Sequence, residues 1–188
     1  MTLNAAIYKA ALQIADMDRH YYHDHELTLA RHPSETDERL MVRVLAFARH
    51  AGERLSFAQG RLGAGLKTAP DEPDLWQKDL TGALELWIEV GLPDERILRQ
   101  ACHRAQQVVV YAYGGPKADR WWEQNRASLE KAKNLTVITL SAGTTRALAA
   151  LVQRDLTLHC TIQDGQVWIG AGEERVEVVM GILLQRRA

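Results

Sequence analysis

The sequence predicts an α/β protein, a mixed central β-sheet flanked by helices, and three observations carry that prediction. From residue 34 to residue 140, helical apolar spacing alternates with strand-type runs in the order helix, strand, hairpin, helix, strand, helix, strand. The breaks Thr81-Gly82 and Gly114-Gly115-Pro116 fall between these runs rather than inside them. The 188 residues can bury one substantial core, and no repeat, low-complexity tract or long linker divides them.

The elements follow in order. Ala5 to Ala15 alternates loosely through Ile7, Lys9, Ala11 and Gln13, and a second extended run covers Tyr21 to Leu29. Asp16-Met17-Asp18 reads as the turn of an N-terminal hairpin. A helix over 34–51 opens at Pro33-Ser34, with Ser34 as N-cap and Asp37 three residues later in a weak capping box. Leu40, Met41, Val44, Leu45, Phe47 and Ala48 give its buried face, and Gly52 ends it. A short strand from Arg54 to Ala58 precedes a loop rich in Gly and Pro from Gly60 to Pro73. Leu75–Leu80 and Ala83–Val90 flank Thr81-Gly82 as a two-residue hairpin.

Asp94 caps a second helix that runs to Gln107, with Ile97, Leu98, Ala101, Cys102 and Ala105 on one face. Val108–Tyr113 is a compact β-type run, and a helix over 117–132 carries Trp121-Trp122. Leu135–Leu140 is another strand and Thr144–Gln153 a short helix. The chain closes as a meander: Asp155–Gln163, a turn at Asp164-Gly165, Gln166–Ile169 and Arg175–Leu184.

Composition narrows the class. Apolar residues are 46% and charged residues 25%, as in ordinary globular proteins, and the net charge is −1. No global basic surplus recruits nucleic acid, so such a partner needs a local positive patch. Cys102 and Cys160 are too few for a disulfide framework and lack metal-type spacing. The N-terminal residues lack a secretory pattern, and no apolar run approaches the ~20 residues of a membrane span. A cytoplasmic protein without a membrane partner is the expectation.

The hairpin carries the most chemistry. A Thr81-Gly82 turn pairs Lys78 with Glu85, Trp76 with Trp87 and Asp74 with Glu89, all on one face. Leu84, Leu86, Ile88 and Val90 then point into the core. Opposed carboxylates at a Cβ separation of ~4.5–5.5 Å repel unless something positive lies between them. Mg²⁺, usually held by one or two carboxylates with water and phosphate, would relieve the repulsion. The plainer reading is a solvated face with a cross-strand Lys78–Glu85 pair and tryptophans covering the sheet.

Several blocks are recognisable. They are Arg31-His32-Pro33-Ser34-Glu35-Thr36 with Glu38-Arg39, Glu72-Pro73 with Trp76, and Trp87-Ile88-Glu89 running into Gly91-Leu92-Pro93-Asp94-Glu95-Arg96. Trp121-Trp122 and Thr161-Ile162-Gln163-Asp164-Gly165 add to them. Along nearly its whole length the chain resembles the bacterial YaeQ family. The resemblance implies a variant of the restriction-endonuclease-like PD-(D/E)XK fold, with a core at about 34–140 and the N-terminal hairpin and C-terminal meander as additions. It implies a metal-dependent nuclease or phosphodiesterase acting on DNA or RNA, with Asp74 and Glu89 as the Mg²⁺ ligands. Glu38 is similar to an extra helix glutamate of some such nucleases, and Glu85 belongs to an alternative frame of the motif. Gly91 stands where the superfamily places its lysine, which leaves Lys78 or Lys117 as substitutes. On that reading Asp74→Asn and Glu89→Gln each abolish cleavage and leave the thermal midpoint nearly unchanged. The alternative is a catalytically inactive module on the same fold, binding a protein or RNA.

Other signals are weaker. His23 and His25 share a strand face and would need a third ligand to hold Zn²⁺. Arg31, His32, Arg39 and Arg43 suggest a positive rim at the first helix, but Glu35, Asp37 and Glu38 oppose it. Arg39 fits better as an ion pair fixing that helix to the sheet. Trp121 and Trp122 diverge by ~100° on a helix, as core residues rather than a base-stacking surface. The glycines from Gly60 to Gly65 lack the lysine ending of a phosphate loop.

Overall fold

The computed structural model describes residues 5–60, 63–64, 69 and 71–187. The N-terminal hairpin is β1 (Ala6–Asp16) and β2 (Tyr21–Arg31), paired from Ala6↔Arg31 to Asp16↔Tyr21. α1 (Asp37–His50) follows, then β3 (Leu55–Phe57) and the two-residue strands β4 (Gln59–Gly60) and β5 (Gly63–Ala64). Half of the expected loop from Gly60 to Pro73, Gly65 included, lies outside the described residues. β6 (Leu75–Lys78) and β7 (Leu84–Val90) form the second hairpin, leading to α2 (Glu95–Arg104) and β8 (Ala105–Ala112). α3 (Pro116–Leu129), β9 (Leu135–Leu140) and α4 (Ala142–Ala149) come next. The closing strands are β10 (Asp155–Gln163), β11 (Gln166–Ala171), β12 (Glu174–Glu177) and β13 (Met180–Leu184).

The α/β class and the element order between residues 34 and 140 agree with the sequence. The single central sheet does not. The described strands form two larger sheets, β12-β11-β10-β1-β2 and β13-β9-β8-β7-β6-β3, besides the small pair β4-β5. The N-terminal hairpin and the meander join each other, because β10 runs parallel to β1 from Lys9↔Asp155 to Asp16↔Ile162. The last strand leaves the meander: Val178 still donates to Val167 O at 2.8 Å, while Met180 already pairs with Leu140 of β9. A pairing between strands this far apart in the chain leaves no local mark, so the sequence could not announce it.

The layers explain the composition of α1. It lies between the two sheets, and every residue from Leu40 to Ala48 is buried. Phe47 meets the His25 ring of β2 edge-on at 5.1 Å and stacks on Phe57 of β3 at 5.2 Å. A helix enclosed on all sides needs apolar residues around its whole circumference, and Leu40 to Ala48 supply them apart from Arg43. Its N-cap is Thr36, whose hydroxyl accepts from Arg39 N at 3.1 Å, not Ser34. Ser34 instead hydrogen-bonds the His32 ring, so the helix begins three residues later than the sequence suggested. The expected helix from Asp94 also shortens at its end, since β8 takes Ala105 onward.

The other face of the six-stranded sheet is covered by α2 and α3. Trp87, Val108, Val110, Leu135 and Val137 join Leu98, Ala101 and Leu129 there in a second core cluster. β7, β8 and β9 run parallel through these crossover helices, and β8 is buried on both faces from Val108 to Ala112. That is why its sequence is a continuous apolar run rather than an alternation. Trp121 and Trp122 are half-buried against this cluster, and the Trp121 indole donates to Pro93 O at 2.8 Å. No helix among the described residues is long and apolar enough to cross a membrane.

At the C-terminal end of α1, Arg49 donates to the Tyr111 hydroxyl at 2.8 Å, and that hydroxyl lies 2.7 Å from His50 Nε2. Arg49 can only donate, and the phenol keeps its own proton to give to His50 as neutral imidazole. Burial pushes the His50 pKa from 6.5 down to about 3, and the Arg49 and Arg19 charges add to it. The unfolded chain therefore binds the extra proton first, and stability falls as pH drops from 6.5 toward 3. Denaturant titrations between pH 6.5 and about 5, above most carboxylate titration, should show a slope that rises from about 0.7 toward about 1.4 kcal/mol per pH unit and that His50→Gln flattens.

Candidate functional site

The hairpin that carries the acidic residues is not closed by two residues. Asp79 N donates to Ala83 O at 2.9 Å and Gly82 N to Asp79 O at 3.1 Å, leaving a three-residue loop with Gly82 at φ 89. The Asp79 carboxylate fixes this loop by accepting from Thr81 N, Thr81 Oγ1 and Ala83 N. A type I turn followed by a left-handed glycine adds one residue to the strand and shifts the register. Leu75↔Ile88, Trp76↔Trp87 and Gln77↔Leu86 follow the expected pairing, but Lys78 faces Leu84. The expected Lys78–Glu85 pair is therefore absent. Lys78 instead sits 4.1 Å above the Trp76 ring. Glu85 accepts from Gln77 Nε2 at 2.8 Å and pairs with Arg54 at 3.2 Å.

Asp74 and Glu89 are both 2% exposed, so they do not sit on a solvated face. Asp74 Oδ1 accepts from Arg39 of α1 at 2.5 Å, and Oδ2 accepts from Val90 N at 2.7 Å. Asp74 N in turn donates to Ile88 O at 2.9 Å, which fixes its backbone against β7. Glu89 accepts from the Trp87 indole at 2.9 Å, on the face packed by α2 and α3. Asp74 is thus drawn toward α1 and Glu89 is held by a neighbour on its own strand.

Arg39 belongs to a larger buried cluster. Glu35 Oε1 accepts from Arg39 at 3.0 Å, while Arg43 holds the same carboxylate through both oxygens at 2.8 Å. Arg43, 1% exposed, also donates to Ala30 O of β2 at 3.2 Å. Burial pulls the Arg39 pKa down, but Asp74 and Glu35 outweigh it and raise it above the usual arginine value. The expected ion-pair role of Arg39 is what the structure places there. The positive rim is not, because Arg31 is also engaged, by Asp37 and by Glu35 O. Glu35, Arg39 and Arg43 recur at four-residue spacing, the signal by which sequence alone could have linked them.

Around this cluster stand Glu38 and Tyr113. Glu38 is half-buried in the first turn of α1. Tyr113 hydrogen-bonds Thr36, and its phenol pKa is raised by burial, with Glu38 and Glu35 adding and Arg39 opposing. Tyr113 was not singled out from sequence, since it reads as the end of a strand.

The structure accounts for Gly91. It has φ 106 and donates to Tyr111 O at 2.9 Å, closing the end of β7 against β8. A lysine there would carry a Cβ in a conformation that favours glycine. Gly91→Lys is expected to cost about 1–2 kcal/mol in a chemical denaturation series for the backbone strain alone.

A divalent cation at Asp74 and Glu89 does not fit this arrangement. Both Asp74 oxygens have protein donors, and among the described residues no group of three or more His, Cys, Asp or Glu is placed to hold a metal. Arg39 neutralises Asp74, one of the two carboxylates whose repulsion pointed to a metal. His25, one of the two candidate zinc ligands, is 2.8 Å from the Tyr21 hydroxyl through Nε2.

Comparison with known proteins agrees with the residue blocks. Residues 1–180 match the YaeQ protein family. The YaeQ proteins of Salmonella typhi and Escherichia coli K12 are each 42% identical over 178 residues, 95% of this chain and 95% of theirs. The crystal structure of YaeQ from Xanthomonas axonopodis pv. citri aligns with a TM-score of 0.88 at 45% identity, covering 98% of this chain and 99% of that one. YaeQ from Pseudomonas syringae aligns equally well, at 32% identity over 98% of both chains. The chain belongs to the YaeQ family.

Proposed function

We propose that this protein is a non-catalytic binding module with a protein partner, built on a nuclease-like α/β scaffold whose acidic hairpin has become a structural ion cluster. The observation that carries this reading is the Arg39 guanidinium between Asp74 and Glu35, at 2.5 and 3.0 Å. It takes the place in which a nuclease of this type would hold a cation, and it ties α1 to the β6–β7 hairpin. Glycine at position 91 adds support, because the ammonium that stabilises developing charge in such enzymes has no counterpart at that place.

A second reading keeps the Mg²⁺-dependent phosphodiesterase on DNA or RNA. Arg39 favours it in one respect: its side chain is 28% exposed and could leave Asp74 for a phosphate. That reading retains Asp74, Glu89 and Glu38, and gives up Lys78 and Glu85, which are engaged elsewhere. Isothermal titration of Mg²⁺ and Mn²⁺ into wild type and Glu89→Gln, with cleavage assays on plasmid, single-stranded DNA and RNA, separates the two. The module reading expects neither binding heat nor cleavage. Metal binding lost in Glu89→Gln, or cleavage lost in that variant, would overturn it in favour of the phosphodiesterase.

A further inference from the structure

The six-stranded sheet ends on β13, and among the described residues no strand lies on its outer side. Ser141 N donates to Val179 O at 3.3 Å, and Met180↔Leu140, Gly181↔Thr139 and Ile182↔Ile138 set the register with β9. Antiparallel alternation therefore turns the backbone groups of Val179 and Gly181 toward β9, and those of Met180 and Ile182 toward the open side. The bulge in this pairing falls after Ile182 and leaves both residues in register. Edge strands are usually guarded by charge or brevity, as β12 is by Glu174, Arg175 and Glu177 and β3 by its three residues. β13 reads Met-Gly-Ile-Leu-Leu and has no charge. Ile182 is 62% exposed and the adjoining Val179 55%, so apolar surface stands open along this edge.

Beside the edge lies a cavity of about 310 Å³. Ile138, Met180 and Ile182 line it from one sheet, Val167 from the other, and Arg49 from the last turn of α1. Arg49 is half-buried and donates to the Tyr111 hydroxyl, and among the described residues no carboxylate pairs with it. Its remaining N–H groups are left for a ligand. Glu177 also borders the cavity, but it does not supply that carboxylate. It pairs across the ladder with Trp168, over whose ring Arg175 stacks at 5.0 Å, while Val176 between them faces the core with Ile169. Strand alternation thus places the Glu177 side chain on the outer face of its sheet, away from α1.

We propose that this edge and cavity together dock the C-terminal end of a partner protein in extended form. Its main chain adds a strand to β13 through Met180 and Ile182, and its terminal carboxylate meets Arg49. Its last side chain is aliphatic and rests on Val179 and Ile182. A separate observation names each part of this occupant. The open backbone groups need another backbone, the guanidinium needs a carboxylate, and the exposed aliphatic surface needs an aliphatic side chain. A small carboxylic acid would satisfy Arg49 but leave the strand edge unpaired. The volume is at the small end of ligand pockets, ~300–1,000 Å³, which suits one terminal residue with its carboxylate. This inference rests on the reading of the chain as a binding module and supplies the chemistry of its partner.

The test titrates the full chain into fluorescein-labelled hexapeptides with randomised upstream positions and Leu or Val at the end, as free acids and as C-terminal amides. Saturable anisotropy with the free acids is expected, weakened about tenfold or more by amidation. Methylating alternate backbone nitrogens of the peptide should abolish it, since these can then no longer donate to β13. Arg49→Gln should weaken the free acids about tenfold or more and leave the amides as they were. Glutamine can still donate to Tyr111, and if the variant fails to fold, the amidated and methylated probes on wild type decide. Ile182→Ser, at an exposed position, should weaken both peptide forms. No saturable binding of the free acids, or binding that amidation leaves intact, overturns the proposal. Hexanoate competing as strongly as the peptides also overturns it and assigns the cavity to small carboxylic acids. The metal titration above stays independent: if it is silent and the peptides fail, this edge is wrong and the module reading survives.

Discussion

Asp74→Asn is expected to destabilise the fold by about 2–4 kcal/mol, a loss of thermal stability rather than of a reaction alone. The amide keeps an acceptor for Val90 N, which donates to Asp74 at 2.7 Å. Its NH₂ group, however, must then face the Arg39 guanidinium, a donor against a donor, where a carboxylate oxygen now lies at 2.5 Å. Arg39 would retain Glu35 and partial solvent contact, which keeps the cost below that of an isolated buried charge. Arg39→Gln should restore part of the loss, since glutamine can both donate and accept. A differential scan of the two single variants and the double variant reads the coupling. If Asp74→Asn melts like wild type, Asp74 is not the structural anchor described above.

Removing Arg43 should cost more, about 3–5 kcal/mol for Arg43→Met. Arg43 is 1% exposed, whereas Arg39 retains 28%, so solvent cannot replace its bonds to Glu35 and Ala30 O. The damage comes from the Glu35 carboxylate left buried with only Arg39 opposite it. Combining Arg43→Met with Glu35→Gln should cost less than the sum of the two single changes, because the stranded charge is removed as well. Urea titrations of the four proteins give that coupling directly. Strict additivity would mean that the bidentate pair carries no energy of its own.

Much of this site was written in the chain. The register around Asp74 and Glu89 was legible as far as Leu75↔Ile88 and Trp76↔Trp87, because strand alternation needs only a nearby turn to set it. The turn itself was misread, since Thr81-Gly82 resembles a two-residue hairpin until Asp79 is seen to anchor the loop. That single inserted residue detached Lys78 from Glu85. The solvated face was misread for a different reason. Trp87 and Glu89 alternate with Ile88 and Val90 as an exposed face would, and only α2 and α3 on one side together with α1 on the other bury both.

The sequence by itself determined the local layer of this protein: its helices and strands, the Asp94 cap, the two hairpins and the family. These depend on periodicity, turn residues and caps, all read within a few positions of one another. Tertiary structure alone decided that two sheets enclose α1, that β10 lies parallel to β1, and that β13 crosses to β9. It also decided the state of the acids. A buried carboxylate is satisfied by whichever donor the packing delivers, and here packing delivers Arg39, 35 positions away. Charge neutralisation is a property of three-dimensional neighbours, so the same Asp74 could read as a metal ligand in the sequence and stand as an anchor in the fold.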